Sequence, residues 1–414
     1  MAEATRLSRE EKSPSAKHLP PDVSPCLTEN ADLPGAATFL SLQSESGARG
    51  RHVITEQEVK PGELLFSENP FASVQLAEHS ATHCHHCYAK LQVPFPCTRC
   101  TQPRYCSETC RDESWATYHR FECGSLDFLH SVGVAHLATR TLIVAGRKRL
   151  VEKLRTDLTD RANLRVREGK EDGYGKVLNL VDHCDKIHPF DLFQYAITAT
   201  LLTSFLEQRT KFFSPKSDVL SKPSFPVLPS RDPVQVDEDT STFVGALALK
   251  HILQLICNAS AIYEVGPGSP SDSPRNGLGN DISSLVYNTV QFRVATAIFP
   301  SASMMNHSCD PSVINSFYKN RIVVKAIKHM AEGEEIFNCY GPDFRRMNKE
   351  DRQASLKFQY RFSCSCVKCK GNGRVEVVDD LPLLKTLFFP TQVTNPTFTK
   401  SLADFNVVIV ASRR

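Results

Sequence analysis

From Arg51 to Gln75, around "KPGELLF", apolar and polar residues alternate with a period of two, broken at Pro61-Gly62. That pattern predicts short β-strands joined by a tight hairpin. Between residues 125 and 207 the apolar positions recur at helical spacing. The signal is clearest in "KVLNLVDHCDKIHPFDLFQYAITATLLTSFLEQ", Lys176 to Gln208, where Leu178, Leu180, Val181, Phe190, Leu192 and Phe193 carry it. The run "FVGALALKHILQLICNASAIYEV", residues 243–265, is apolar almost throughout and predicts a buried helix. Three stretches lack any period: 1–45, rich in Pro, Ser and charge, and the Pro- or Gly-rich segments 213–242 and 265–281. They are expected to be a disordered leader and two solvated insertions. No internal repeat is visible.

Composition narrows the class. A chain of 414 residues with 41% hydrophobic and 23% charged residues reads as an ordinary soluble protein of two to four domains. A net charge of +3 and the lack of a basic arm imply no direct nucleic-acid contact. The N-terminus has no apolar core of a secretory signal, and no apolar run approaches the length of a membrane span, so no membrane is expected. With a cytosolic or nuclear location as the default, the 15 cysteines are expected to be thiols and metal ligands, not disulfides.

Their spacing is the strongest chemical signal. Residues 84–123 read Cys84-x2-Cys87, Cys97-x2-Cys100, Cys106-x3-Cys110 and His119-x3-Cys123. Each pair can reach one tetrahedral Zn²⁺, and eight ligands make two closed, structural sites. A segment this short buries little, so the metal supplies most of its folding energy. Spacing alone does not say which pairs share an ion. His83, His85 and His86 are bystanders, since eight ligands are already present. Further on, Cys364-x-Cys366-x2-Cys369 is one ligand short of a third site. Cys26, Cys184, Cys257, Cys309 and Cys339 compete for the vacancy, and Cys309 is preferred because its polar neighbours suggest a loop.

The first cysteine block, with "YCSETC" and the Trp115, His119, Cys123 ending, resembles the MYND zinc finger. That resemblance implies interleaved sites, Cys84, Cys87, Cys106 and Cys110 on one ion, and Cys97, Cys100, His119 and Cys123 on the other. It also implies proline-containing peptide partners. "NHSCDPS", "EEIFNCYGP" and "CSCVKC" resemble the signature of SET-domain lysine methyltransferases, in which the cysteine after Asn-His completes the post-SET zinc. Together they resemble the SET and MYND domain-containing family, nearest its tetratricopeptide-bearing member, over roughly residues 47–370. The implied fold is α+β: a β-rich SET core with an inserted MYND finger, helical insertions and a post-SET zinc site.

On that resemblance the chain divides into a leader 1–45, SET 46–82, the finger 83–123, a helical insertion 124–245, SET 246–345, the post-SET segment 346–370 and a tail 371–414. The implied activity is S-adenosylmethionine-dependent methylation of a protein lysine, with three zinc ions. Arg49, Gly50, Asn258, Asn306 and His307 would hold the cofactor and Phe362 would stack on its adenine. Tyr340 would be the catalytic tyrosine and Tyr360 would line the lysine channel. Ala48 departs from the family's Gly-x-Gly, and no helical domain is legible after Cys369. The alternative is a MYND-based interaction module whose SET core is silent.

Overall fold

The computed structural model describes residues 30–47, 49–154, 173–214, 238–267 and 289–371. Most of the leader, Cys26, Ala48, the greater part of both Pro/Gly-rich insertions and the tail after Gly371 lie outside the described residues.

Strands β1 (Leu40–Ser44) and β2 (Arg51–Thr55) form an antiparallel pair. Strand β3 (Leu64–Glu68) continues the chain, and β4 (Ala72–Gln75) follows it. The turn expected at Pro61-Gly62 forms, with Gly62 at φ +94° and Glu63 N–H on the Lys60 carbonyl. The expected hairpin does not. β3 pairs instead with β11 (Arg321–Ala326) in the sheet β10-β11-β3, whose third strand β10 is Val313–Tyr318. Alternation specifies a half-buried strand but not its partner, and the long-range sheet wins here.

Beyond β4 the finger holds a small hairpin, β5 (Phe95–Pro96) with β6 (Arg104–Tyr105), and helix α1 (Glu108–Ser114). The helical insertion supplies α2 (Leu126–Ser131), α3 (Ala135–Ala145), α4 (Gly173–Leu178), α5 (Pro189–Gln208) and α6 (Glu238–Asn258). Helix α5 opens with Pro189 in its first turn and His188 Nδ1 accepting from Phe190 N–H, a start that proline favours.

Two of the sequence boundaries shift. Residues 30–44 are no leader: Leu33, Ala36 and Leu40 are buried in the β core. The apolar run 243–265 is not one helix either. Helix α6 starts at Glu238, inside the expected insertion, and ends at Asn258. Ser260–Pro267 then forms β7, antiparallel to β8 (Thr289–Ile298), which also pairs with β4. Asn258 ends the helix by turning its amide onto the Val181 and Gln254 carbonyls. By length and composition alone α6 is apolar enough to cross a bilayer, contrary to the expectation that no such run exists. Among the described residues it is a core helix, with Val244, Leu247, Ala248, Ile252 and Leu255 buried with residues of α3 and α5.

The architecture is thus mixed α+β with two apolar cores, one among the helices and one beneath the small sheets. Met304 packs against both. It stands just before β9 (Asn306–His307), which pairs in parallel with β12 (Phe337–Asn338). This pairing joins the two segments that the sequence singled out. Helix α7 (Lys349–Tyr360), capped by Asn348 on Asp351 N–H, and the short α8 (Val367–Lys370) close the described chain.

Candidate active site and metal centres

Three four-residue donor sets form, each with ligand atoms within 4.8 Å of one another. In the finger they are Cys84, Cys87, Cys106 and Cys110, and Cys97, Cys100, His119 and Cys123. Local backbone explains how the pairs converge. Each CxxC knuckle ends in a left-handed residue, Tyr88 at φ 64° and Thr101 at φ 57°, folding the chain back over its own thiols. Ser107 caps α1 through the Cys110 N–H, which sets Cys110 on the first turn. A π-helical turn over Trp115–His119 follows, and the bond from Cys123 N–H to the His119 carbonyl, 2.7 Å and four residues back, sets His119 and Cys123 on one face.

The geometry fits zinc sites. Cys87 and Cys106 sulfurs lie 3.6 Å apart, as do those of Cys106 and Cys110. A tetrahedron with Zn–S near 2.3 Å has edges of roughly 3.8 Å. A disulfide would need about 2.05 Å. The third set is Cys309, Cys364, Cys366 and Cys369, with Cys309 Sγ 3.6 Å from Cys369 Sγ and 3.9 Å from Cys364 Sγ. Cys309 therefore supplies the fourth donor of the set, and Cys184, Cys257 and Cys339 lie outside the cluster.

Sequence reasoning missed the charges that support these sites. Arg352, nearly fully buried, lies with Nη2 3.8 Å from Cys369 Sγ and bonds the Lys368 carbonyl. A four-thiolate zinc site carries net negative charge, and a buried guanidinium offsets it. Beneath the finger, Arg140 of α3 is clamped on Glu122 through Nε at 2.7 Å and through Nη2, and its Nη1 reaches the Ser73 carbonyl of β4 at 2.8 Å. Its guanidinium also stacks 3.8 Å from the Tyr118 ring. Burial pushes the Glu122 carboxyl up, but Arg140 and then His136 outweigh it and hold it well below the usual carboxylate range. Two of the supposed bystanders also tie the finger down, His83 to Glu264 at 2.6 Å and His85 to the Arg140 group at 3.4 Å.

Most of the expected site residues converge around β9. Asn306 donates to the Arg49 carbonyl and to Glu335 Oε1, both at 3.0 Å. Glu335 Oε2 pairs with Arg49 Nε at 3.2 Å, so one buried carboxylate holds both. Glu335 was not singled out, although it stands in "EEIFNCYGP"; its backbone is bridged to Ile54 of β2, a long-range pairing that the sequence does not show. Gly50 has φ +59°, a conformation that suits glycine. His307 sits 5.3 Å, ring to ring, from Tyr340 and 6.0 Å from Phe362. Tyr340 and Tyr360 rings are 4.8 Å apart, and Tyr360 donates to the Tyr340 carbonyl at 2.9 Å. The Tyr340 hydroxyl donates to the Met305 carbonyl at 2.8 Å. Burial raises both phenols above the ordinary tyrosine value and pulls His307 down to about 4. All three are neutral near pH 7. Asn258 is the exception: its amide bonds run to Val181 and Gln254, and Gln359 Nε2 on the Ile256 carbonyl links that helix end to α7.

The model of the SET domain matches residues 50–341, most of the chain. The chain belongs to the SET-domain family. Its donor sets fit the MYND finger and post-SET site of the SET and MYND domain-containing members. It is 28% identical to protein-lysine N-methyltransferase SMYD4 of Homo sapiens, over 83% of this chain and 47% of that protein. With SMYD4 of Gallus gallus it shares 30% over 76% of this chain and 47% of that protein, and with N-lysine methyltransferase SMYD2 of Bos taurus 26% over 83% and 64%. The chain spans about half the length of the SMYD4 relatives it matches.

Proposed function

We propose that this SET-family chain transfers a methyl group from S-adenosylmethionine to a lysine side chain of a protein. The observation that carries the reading is the closed aromatic group His307, Tyr340, Tyr360 and Phe362, set directly against the Asn306–Arg49–Glu335 clamp. Phe362 offers a face for an adenine, and Asn306, Gly50 and Arg49 are placed to meet the amino-acid end. Asn258, whose amide nitrogen is committed to the Val181 and Gln254 carbonyls, is assigned to the cofactor on the family resemblance alone. S-adenosylmethionine supplies an electrophilic methyl on a positively charged sulfur.

The rest is done by this chain's own groups. A lysine amine attacks only when neutral, against an ordinary pKa near ~10.4. Tyr340, Tyr360 and Phe362 make a poorly hydrated channel, which disfavours the ammonium form. Tyr340 is itself no base, because burial keeps its phenol protonated. Its hydrogen is committed to the Met305 carbonyl, so its lone pairs are free to accept from the amine and aim it. Alignment of donor and acceptor then carries most of the rate. The twelve donors would hold three zinc ions, and these would be structural, since each set offers four protein ligands. Proline-containing peptides are the partners we assign to the finger.

Calorimetry with S-adenosylmethionine and a radiolabelled-methyl screen of a lysate test the reading together. Cofactor binding and label on lysine are expected, with Tyr340→Phe keeping the first and losing the second. No heat at high cofactor concentration would leave the interaction module in its place.

A further inference from the structure

The two ring nitrogens of His307 have different partners. Nδ1 accepts the Tyr340 backbone N–H at 3.0 Å, and Nε2 lies 3.4 Å from Cys309 Sγ. A nitrogen that accepts carries no proton, so in the neutral imidazole the hydrogen sits on Nε2 and points at the sulfur. A free thiol is a weak acceptor, whereas a zinc-bound thiolate is a charged one. Cys309 belongs to the third donor set, and Arg352 stands against that same set, with Nη2 3.8 Å from Cys369 Sγ.

We propose that His307 is a positioning residue that couples the post-SET zinc site to Tyr340, through a Nε2–H to Cys309 thiolate bond on one side and a Tyr340 N–H to Nδ1 bond on the other. The inference rests on the methyltransferase reading for its consequence but not for its geometry. Loading the metal makes Cys309 an acceptor, which selects one tautomer and one ring orientation. That ring then holds the backbone of Tyr340, while the tyrosine's hydroxyl is held by Met305, two residues before His307. One short segment thus grips the tyrosine at both ends, and its imidazole is set by the ion. The role differs from the one the family resemblance implies for His307, contact with the cofactor.

The test uses the full chain, zinc-loaded and ¹⁵N-labelled at histidine. Long-range ¹H–¹⁵N spectra should show His307, assigned by its loss in His307→Phe, as the Nε2–H tautomer. Chelation of the post-SET ion should abolish that single tautomer and speed exchange of the Tyr340 amide. In His307→Phe, release of that ion to a chelating dye should quicken by roughly tenfold, the usual scale for an outer-shell partner. Turnover should fall while S-adenosylmethionine still binds. An Nδ1–H tautomer in the loaded wild type overturns the proposal, as do unchanged zinc release and Tyr340 exchange in the variant. If His307→Phe does not fold, the wild-type spectrum with and without chelator decides. Tautomer, amide exchange and zinc release are all read without turnover, so a chain that moves no methyl group refutes the proposed function and leaves the coupling to be judged on its own.

Discussion

Arg140→Met isolates the contact that fastens the finger to the rest of the molecule. Arg140 and Glu122 are 1% and 0% exposed, so the substitution strands a carboxylate in the interior, with His136 hydrogen-bonded to it and His85 and His119 within 4.8 Å. Breaking a buried pair from one side costs about 3–5 kcal/mol. Loss of the bond to the Ser73 carbonyl and of the stack on Tyr118 adds to it, although such terms share one side chain and do not sum fully. About 5 kcal/mol is a large part of the 5–15 kcal/mol typical of a folded domain. In urea, with a slope near 2–3 kcal/mol/M, the midpoint should fall by roughly 2 M. The pairing, not mere volume, is the cause, so Arg140→Met with Glu122→Leu should recover most of the loss, since apolar replacement of both partners is often neutral or better. Urea unfolding of wild type, both single variants and the double variant closes the cycle, with zinc content measured alongside. A single Arg140→Met variant within about 1 kcal/mol of wild type, on the scale of an exposed pair, would refute the reasoning.

Metal analysis should return three zinc ions per chain and two for Cys309→Ser; two in the wild type would remove the post-SET ion. Burial raises the Glu68 pKa from 4.5 to about 7, against the pull of the Ser301 and Ala302 N–H groups it accepts. A carboxyl raised in the folded state contributes stability that is full below the unfolded pKa and lost as pH climbs through the folded one. Unfolding free energy should therefore drop by about 3 kcal/mol between pH 4.5 and 7.5, since displacing a pKa by one is worth about 1.36 kcal/mol, and Glu68→Gln should flatten that slope. Glu335→Gln keeps an acceptor for Asn306 and gives up only the pairing with half-exposed Arg49, so it should bind S-adenosylmethionine nearly as wild type. Glu335→Leu takes away one of the two acceptors of the Asn306 amide and the pairing with Arg49, and should weaken binding by about tenfold, roughly 1.4 kcal/mol by calorimetry. Equal affinities for the two variants would break the assigned clamp.

Much of this protein is legible in local spacing. Paired cysteines a few residues apart announce their metal because chain geometry allows little else at that distance, and "NHSC", "NCYGP" and "CSCVKC" mark the site because each is a contiguous run in the chain. Pattern alone also shows that strands and helices are present, though not their bounds: the alternation at Arg51–Gln75 and the apolar run from 243 both correspond to real elements. What it cannot show is which distant segment covers them. β2 and β3 choose separate sheets, and the end of a single apolar run leaves its helix for β8, because pairing between segments far apart in the chain decides burial. Glu335, Arg352, Arg140 and Glu68 are ordinary surface types by residue identity. Each becomes decisive only when folding removes water from a charge and obliges it to find a partner, and that partner is set by the tertiary fold.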